Sequence, residues 1–154
     1  MRLLKTIFIL LCSLLLISCS QQDPVYHDTQ GHAVQLTKLR GKWVIVNYWA
    51  AWCHPCVDEM PELNNFYKYA QDKNILIYGV DFDELPIDDL TRDAQSVGIA
   101  FPVLVDDPEA WGLDEVSVIP TTFIINPKGV VVKKLVGSIT EQTLIDVLHT
   151  LQNE

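Results

Sequence analysis

Residues 43–56 read Trp43-Val44-Ile45-Val46-Asn47-Tyr48-Trp49-Ala50-Ala51-Trp52-Cys53-His54-Pro55-Cys56. The first half is a short apolar run of β-branched and aromatic residues, the composition of a strand buried on both faces. The second half opens an amphipathic segment that runs to about Ala70. Cys56, Met60, Leu63, Tyr67 and Ala70 recur in it at helical spacing. A buried strand, a short turn and a helix beginning at a Cys-x-x-Cys pair make a redox arrangement. Cys53 falls where a helix presents unpaired N–H groups and the positive end of its dipole, which stabilises a thiolate. Cys56, three residues on, shares that helix face and can close a disulfide with it. Pro55 lacks an N–H, a small loss in a first turn where N–H groups are unpaired anyway.

The competing reading of a Cys-x-x-Cys is half of a zinc site. Structural zinc needs four ligands, usually a second such pair or two histidines. The remaining cysteines are Cys12 and Cys19, and His27, His32 and His149 show no ligand spacing. The expectation is redox chemistry and no metal.

Outward from this stretch, Ile75 to Asp81 reads as a second buried strand, which makes a right-handed β-α-β crossover with a parallel pair. Glu84 to Val97 reads as a helix stopped by Gly98, and Phe101 to Val105 as a short strand. A short helix follows around Glu109 to Leu113. Thr121 to Asn126, the turn Asn126-Pro127-Lys128-Gly129 and Val130 to Val136 read as a hairpin. Ser138-Ile139-Thr140-Glu141 has the spacing of a capping box before a last helix carrying Leu144, Leu148 and Leu151. Upstream, Val25 to Leu36 reads as a hairpin around Gln30-Gly31, with Val34 and Leu36 on one face. The order of elements predicts an α/β layered domain over 25–154.

The first 18 residues differ from the rest. Arg2 and Lys5 precede an apolar run, Thr6 to Ile17, too short to span a bilayer comfortably. The tetrad Leu16-Ile17-Ser18-Cys19 resembles a bacterial lipobox. That resemblance implies a lipoprotein signal peptide over 1–18, lipid attachment at Cys19 and a tether over 19–24. An ordinary cleaved signal or an uncleaved anchor are the alternatives. Export would leave Cys53 and Cys56 as the one pair, in a compartment where disulfides persist. The chain of 154 residues carries a formal net charge of −9, and loss of Arg2 and Lys5 makes it more negative. Such a chain is unsuited to nucleic acid and to charge-driven binding of anionic membranes.

Residues 46–56 resemble the active-site strand and helix of the thioredoxin superfamily. Ile119-Pro120-Thr121-Thr122-Phe123-Ile124-Ile125-Asn126-Pro127-Lys128-Gly129 resembles its cis-proline loop and following hairpin. The lipobox, the helix and strand between Glu84 and Val105, and Glu59 three residues after Cys56 resemble the TlpA/ResA/DsbE branch of exported, membrane-tethered oxidoreductases. The resemblance implies a thioredoxin-like three-layer sandwich, a central mixed sheet flanked by helices, with an N-terminal hairpin and an extra helix-strand insertion. It implies Cys53 as nucleophile, Cys56 as resolving thiol and a redox-active Cys53–Cys56 disulfide. Pro120 becomes the cis-proline, with Ile119 before it offering backbone to a substrate strand, and Glu59 the carboxylate that adjusts the pair. Trp52, His54 and Pro55 are their active-site neighbours.

Two departures stand out. Asn47 occupies the strand position where thioredoxins proper carry an aspartate. His54 is uncommon beside the nucleophile; it either favours the thiolate or points into solvent. The resemblance implies a reductase of disulfides in exported proteins, such as apocytochrome c, re-reduced by a membrane electron donor of the DsbD/CcdA type, with no organic cofactor. The rivals are an oxidase or isomerase of the same fold, a peroxiredoxin, which needs a threonine where Ala50 stands, and a non-catalytic copper metallochaperone, which uses a spacing one residue longer.

Overall fold

Trp43–Trp49 (β3) and Ile75–Asp81 (β4) lie side by side in parallel, from Trp43 opposite Ile75 to Trp49 opposite Asp81. The crossover between them is the helix His54–Ala70 (α1). These elements belong to a computed structural model that describes residues 23–153. The expected signal peptide, lipidated Cys19 and most of the tether lie outside the described residues. Upstream of β3, Tyr26–His27 (β1) and Ala33–Val34 (β2) form a small antiparallel hairpin. Downstream come Ile87–Ser96 (α2), Val103–Leu104 (β5), Thr121–Ile125 (β6), Val131–Val136 (β7) and Glu141–Gln152 (α3). The main sheet has the order β5-β4-β3-β6-β7. β5 and β4 run parallel to β3, while β6 is antiparallel to β3 and β7 to β6. This is an α/β thioredoxin-like fold with a mixed sheet.

Alternation along β3 divides its side chains between two cores. Ile45 and Trp49 face α1, α2 and α3, packing with Met60, Leu63, Leu90 and Leu144. Val44, Val46 and Tyr48 face the other way, against Tyr26 and Val34 of the hairpin and Trp111 of a 3-10 turn. The sheet is thus covered by three α-helices on one side and by the hairpin and short 3-10 segments on the other. Asn47 shares the helix-facing side with Ile45 and Trp49, and it is fully buried. A buried amide there must find partners or cost roughly 1–3 kcal/mol.

Several boundaries differ from those expected. The hairpin ends at Val34, and Leu36 begins a 3-10 turn, Leu36–Leu39, instead of extending the strand. α2 starts at Ile87, not Glu84, because Pro86 caps it and Glu84 takes a left-handed φ of 52°. The helix near Glu109 shrinks to a 3-10 turn, Glu109–Trp111, closed by Gly112 at φ 71°. The expected capping box on Ser138 does not form. Thr140 is the N-cap of α3 and accepts from the Thr143 N–H, while the Ser138 hydroxyl donates to the Pro55 carbonyl at 3.0 Å. Among the described residues no helix is long and apolar enough to cross a membrane.

Candidate active site

Cys53 is the N-cap of α1. Its backbone is extended (φ −82°, ψ 99°) and its Sγ accepts the Cys56 N–H at 3.3 Å. A sulfur at the N-cap thus meets one of the N–H groups that the first turn leaves unpaired. Cys53 and Cys56 are joined in a disulfide with Cα atoms 5.2 Å apart. Cys53 is 4% exposed and Cys56 is fully enclosed. His54 and Pro55 stand exposed on the first turn, and Pro55 occupies a first-turn position where proline is tolerated.

Trp52 is 66% exposed and projects beside the pair. Its indole N–H donates to Asp83 Oδ2, and its ring meets Phe82 edge-on, with centroids 6.5 Å apart. Register places the second wall. Thr121 of β6 lies opposite Tyr48, so Ile119 and Pro120 stand beside the end of β3 from which the Cys-x-x-Cys departs. The Ile119–Pro120 bond is cis. Val118, just before it, is more than half exposed.

Beneath the pair lies a polar knot that the sequence pattern only half discloses. Glu59 sits three residues after Cys56, on the same side of α1, and is buried with 2% exposure. Its Oε1 accepts from Asn47 Nδ2 at 2.8 Å, and its Oε2 accepts the Ile139 N–H at 2.9 Å. Asn47 Nδ2 also donates to Thr122 Oγ1 at 3.0 Å. Burial pushes the Glu59 carboxyl above the ordinary carboxylate range, and the bonds from Ile139 and Asn47 pull it part of the way back. The Ser138 bond to Pro55 and the Ile139 bond to Glu59 together fasten the loop before α3 to the first turns of α1.

A cleft of about 490 Å³ is lined by Phe82 together with Tyr48, Asp81, Glu84, Asp107 and Glu109 among others. Burial raises the carboxyls of Asp81 and Asp107 as well. So acidic a cleft disfavours anionic ligands. Among the described residues, no group of three or more His, Cys, Asp or Glu is arranged to hold a metal ion.

The structure thus gathers Trp52, Cys53, His54, Pro55, Cys56, Glu59, Ile119 and Pro120 at one end of β3. Sequence reading missed Asp83, Ser138 and the Ile139 N–H. The signal for Asp83 was the run Asp81-Phe82-Asp83 at the carboxyl end of a central strand, where sites in such sheets gather.

A disulfide at the start of a helix, between a central parallel strand and a proline loop on the neighbouring antiparallel strand, defines the thioredoxin-like class of dithiol–disulfide proteins. Residues 19–134 match the family model described as AhpC/TSA family. The thiol-disulfide oxidoreductase ResA of Bacillus subtilis (strain 168) is 37% identical over 129 residues, covering 83% of this chain and 72% of ResA. ResA of Geobacillus thermodenitrificans (strain NG80-2) is 32% identical over 140 residues, covering 88% and 78%. StoA from Bacillus subtilis shares the fold, with a TM-score of 0.68 at 23% identity over 80% of this chain and 93% of StoA. The chain belongs to the AhpC/TSA family and, within the thioredoxin-like fold, to the thiol-disulfide oxidoreductases related to ResA.

Proposed function

We propose that this chain reduces disulfides in exported proteins, with Cys53 as the attacking thiol and Cys56 as the resolving one. The observation that carries the assignment is the asymmetry of the pair. Cys53 is the N-cap, with 4% of its surface exposed and its Sγ accepting the Cys56 N–H, while Cys56 lies inside the first turn with none. In the reduced enzyme the Cys53 thiolate attacks a substrate disulfide. A Cys53–substrate bond forms, the substrate S–S bond breaks, and the departing substrate sulfur takes up a proton. Cys56 then gives up its proton and attacks Cys53 Sγ. The Cys53–Cys56 disulfide forms, the second substrate thiol leaves, and two electrons have passed to the substrate.

The Asn47 amide cannot accept the Cys56 proton. Glu59, one helical turn further on, can, and burial raises its affinity for protons. Ile119 and Pro120 form the wall along which an extended substrate lies. His54 is exposed, so solvent and salt screen its charge and its effect on the pair is small.

The resemblance of residues 16–19 to a lipobox supports attachment of a signal-cleaved lipoprotein to a membrane through lipid on Cys19. In an oxidising compartment the oxidised enzyme needs an electron source, and a membrane dithiol donor of the DsbD/CcdA type suits it. Apocytochrome c is the substrate that kinship with ResA suggests. The test is trapping. The pre-reduced Cys56→Ser chain, incubated with a protein disulfide, accumulates a mixed disulfide on Cys53 that mass spectrometry locates. Failure of Cys56→Ser to trap substrate, or trapping on Cys56 in the Cys53→Ser chain, contradicts the assignment.

A further inference from the structure

The turn that follows β4 is held by a single carboxylate. Asp81 is 5% exposed, and its Oδ2 accepts two N–H groups, from Asp83 and from Leu85, both at 3.1 Å. Between them Glu84 sits at φ 52°, a left-handed conformation that a non-glycine residue rarely adopts. The turn is therefore specified by its bonds and not by the intrinsic preference of its residues. Its outcome is local. Asp83 is carried beside Trp52, where its carboxylate accepts the indole N–H, and Phe82 makes a T-shaped contact with the same ring.

Trp52 precedes the N-cap cysteine and is the most exposed large apolar side chain of the described residues. Left free, an exposed indole samples several rotamers. A substrate chain settling onto Cys53 would have to order it, and ordering a side chain at an interface opposes binding. A charge-assisted hydrogen bond to its N–H and a T-shaped aromatic contact with Phe82 fix it beforehand.

We propose that Asp83 is a positioning residue. It holds Trp52, the neighbour of Cys53 in the chain, as a preset apolar wall for an extended polypeptide carrying the target disulfide. The inference rests on the reductase reading above and adds to it a determinant of polypeptide affinity. Asp83 acts through Trp52 and takes no part in the sulfur chemistry. Its removal therefore weakens binding of a polypeptide disulfide and leaves the maximal rate of exchange nearly as it was.

The experiment uses the full chain in detergent, pre-reduced and mixed in single turnover with increasing insulin as the polypeptide disulfide. Asp83→Ala raises the half-saturating insulin concentration about three- to tenfold, with the maximal rate within about twofold. Asp83→Asn, which keeps an oxygen acceptor, recovers most of the loss. In a Trp52→Ala background, Asp83→Ala adds nothing further. The Trp52 indole N–H resonance shifts in Asp83→Ala and returns towards its original position in Asp83→Asn. Unchanged half-saturation in Asp83→Ala, or losses from Trp52→Ala and Asp83→Ala that add independently, overturns the inference while leaving the reductase reading intact. A parent chain that exchanges with no polypeptide disulfide overturns both.

Discussion

Asn47 Nδ2 donates to Glu59 Oε1 at 2.8 Å, tying the central strand to the helix that bears the cysteines. Both side chains are buried, and Glu59 also receives the Ile139 N–H. The carboxylate is thus satisfied on both oxygens, yet burial still raises its pKa above the ordinary value of about 4.3. The sign of the linkage follows. The folded state holds this proton more tightly than the unfolded state, so the favourable contribution is fully present below pH about 4.3. It is lost as pH rises through the raised folded value. Glu59→Gln removes that dependence. Urea unfolding across this window will show the variant gaining stability relative to the parent as pH rises. A constant difference between the two proteins would mean that Glu59 does not titrate in the fold as described.

The two cysteines differ in role, so their substitutions differ in outcome. Cys53→Ser abolishes disulfide exchange altogether. Cys56→Ser retains the first attack and stops at the mixed disulfide, giving at most one stoichiometric event per molecule. Counting substrate thiols released per enzyme distinguishes the two variants, with zero expected for the first and about one for the second.

Gly79 of β4 leaves a side chain little room. A Cβ there would lie 3.1 Å from Trp49 Nε1 and 3.3 Å from both Phe101 Cε2 and Val103 Cγ2. Trp49 is fully buried and cannot move aside easily. Gly79→Ala is expected to destabilise the fold by about 1–3 kcal/mol, as overpacked cores do, measured by urea unfolding. A neutral result would show that β4 and β5 can separate slightly to admit a methyl group.

Thr140, not Ser138, caps α3. Thr140→Ala should cost about 1 kcal/mol of global stability through loss of the bond from the Thr143 N–H. Ser138→Ala leaves that cap in place and removes only an exposed bond to Pro55. Its effect on stability should be smaller, and side-by-side urea curves decide between the two candidate caps.

How far these features could be read from sequence depends on the range of the interaction that creates each one. β3, β4 and α1 were legible because Val44-Ile45-Val46 and the spacing of Cys56, Met60 and Leu63 carry their own periodicity. The position of Glu59 on the cysteine-bearing face was legible for the same reason. Its burial was not, because it depends on the Ile139 N–H, 80 residues away in sequence. Ser138 and Glu141 have the spacing of a capping box, but the Ser138 hydroxyl is taken by Pro55, 83 residues distant. Local patterns cannot register such competition. The start of α2 was missed for a different reason. Glu84 is a good helix former, but the bonds from the Asp83 and Leu85 N–H groups to Asp81 hold this stretch in a turn that ends at the N-cap Pro86.

The direction of electron flow is the central claim, and the equilibrium reduction potential of the Cys53/Cys56 pair tests it most directly. The full chain in detergent would be equilibrated in graded thiol–disulfide buffers and the fraction of disulfide read by alkylation and mass. A reductase of exported proteins predicts a potential near −270 mV or lower, about that of thioredoxin. A potential near −120 mV, about that of DsbA, would contradict the account and make the chain an oxidant of exported thiols.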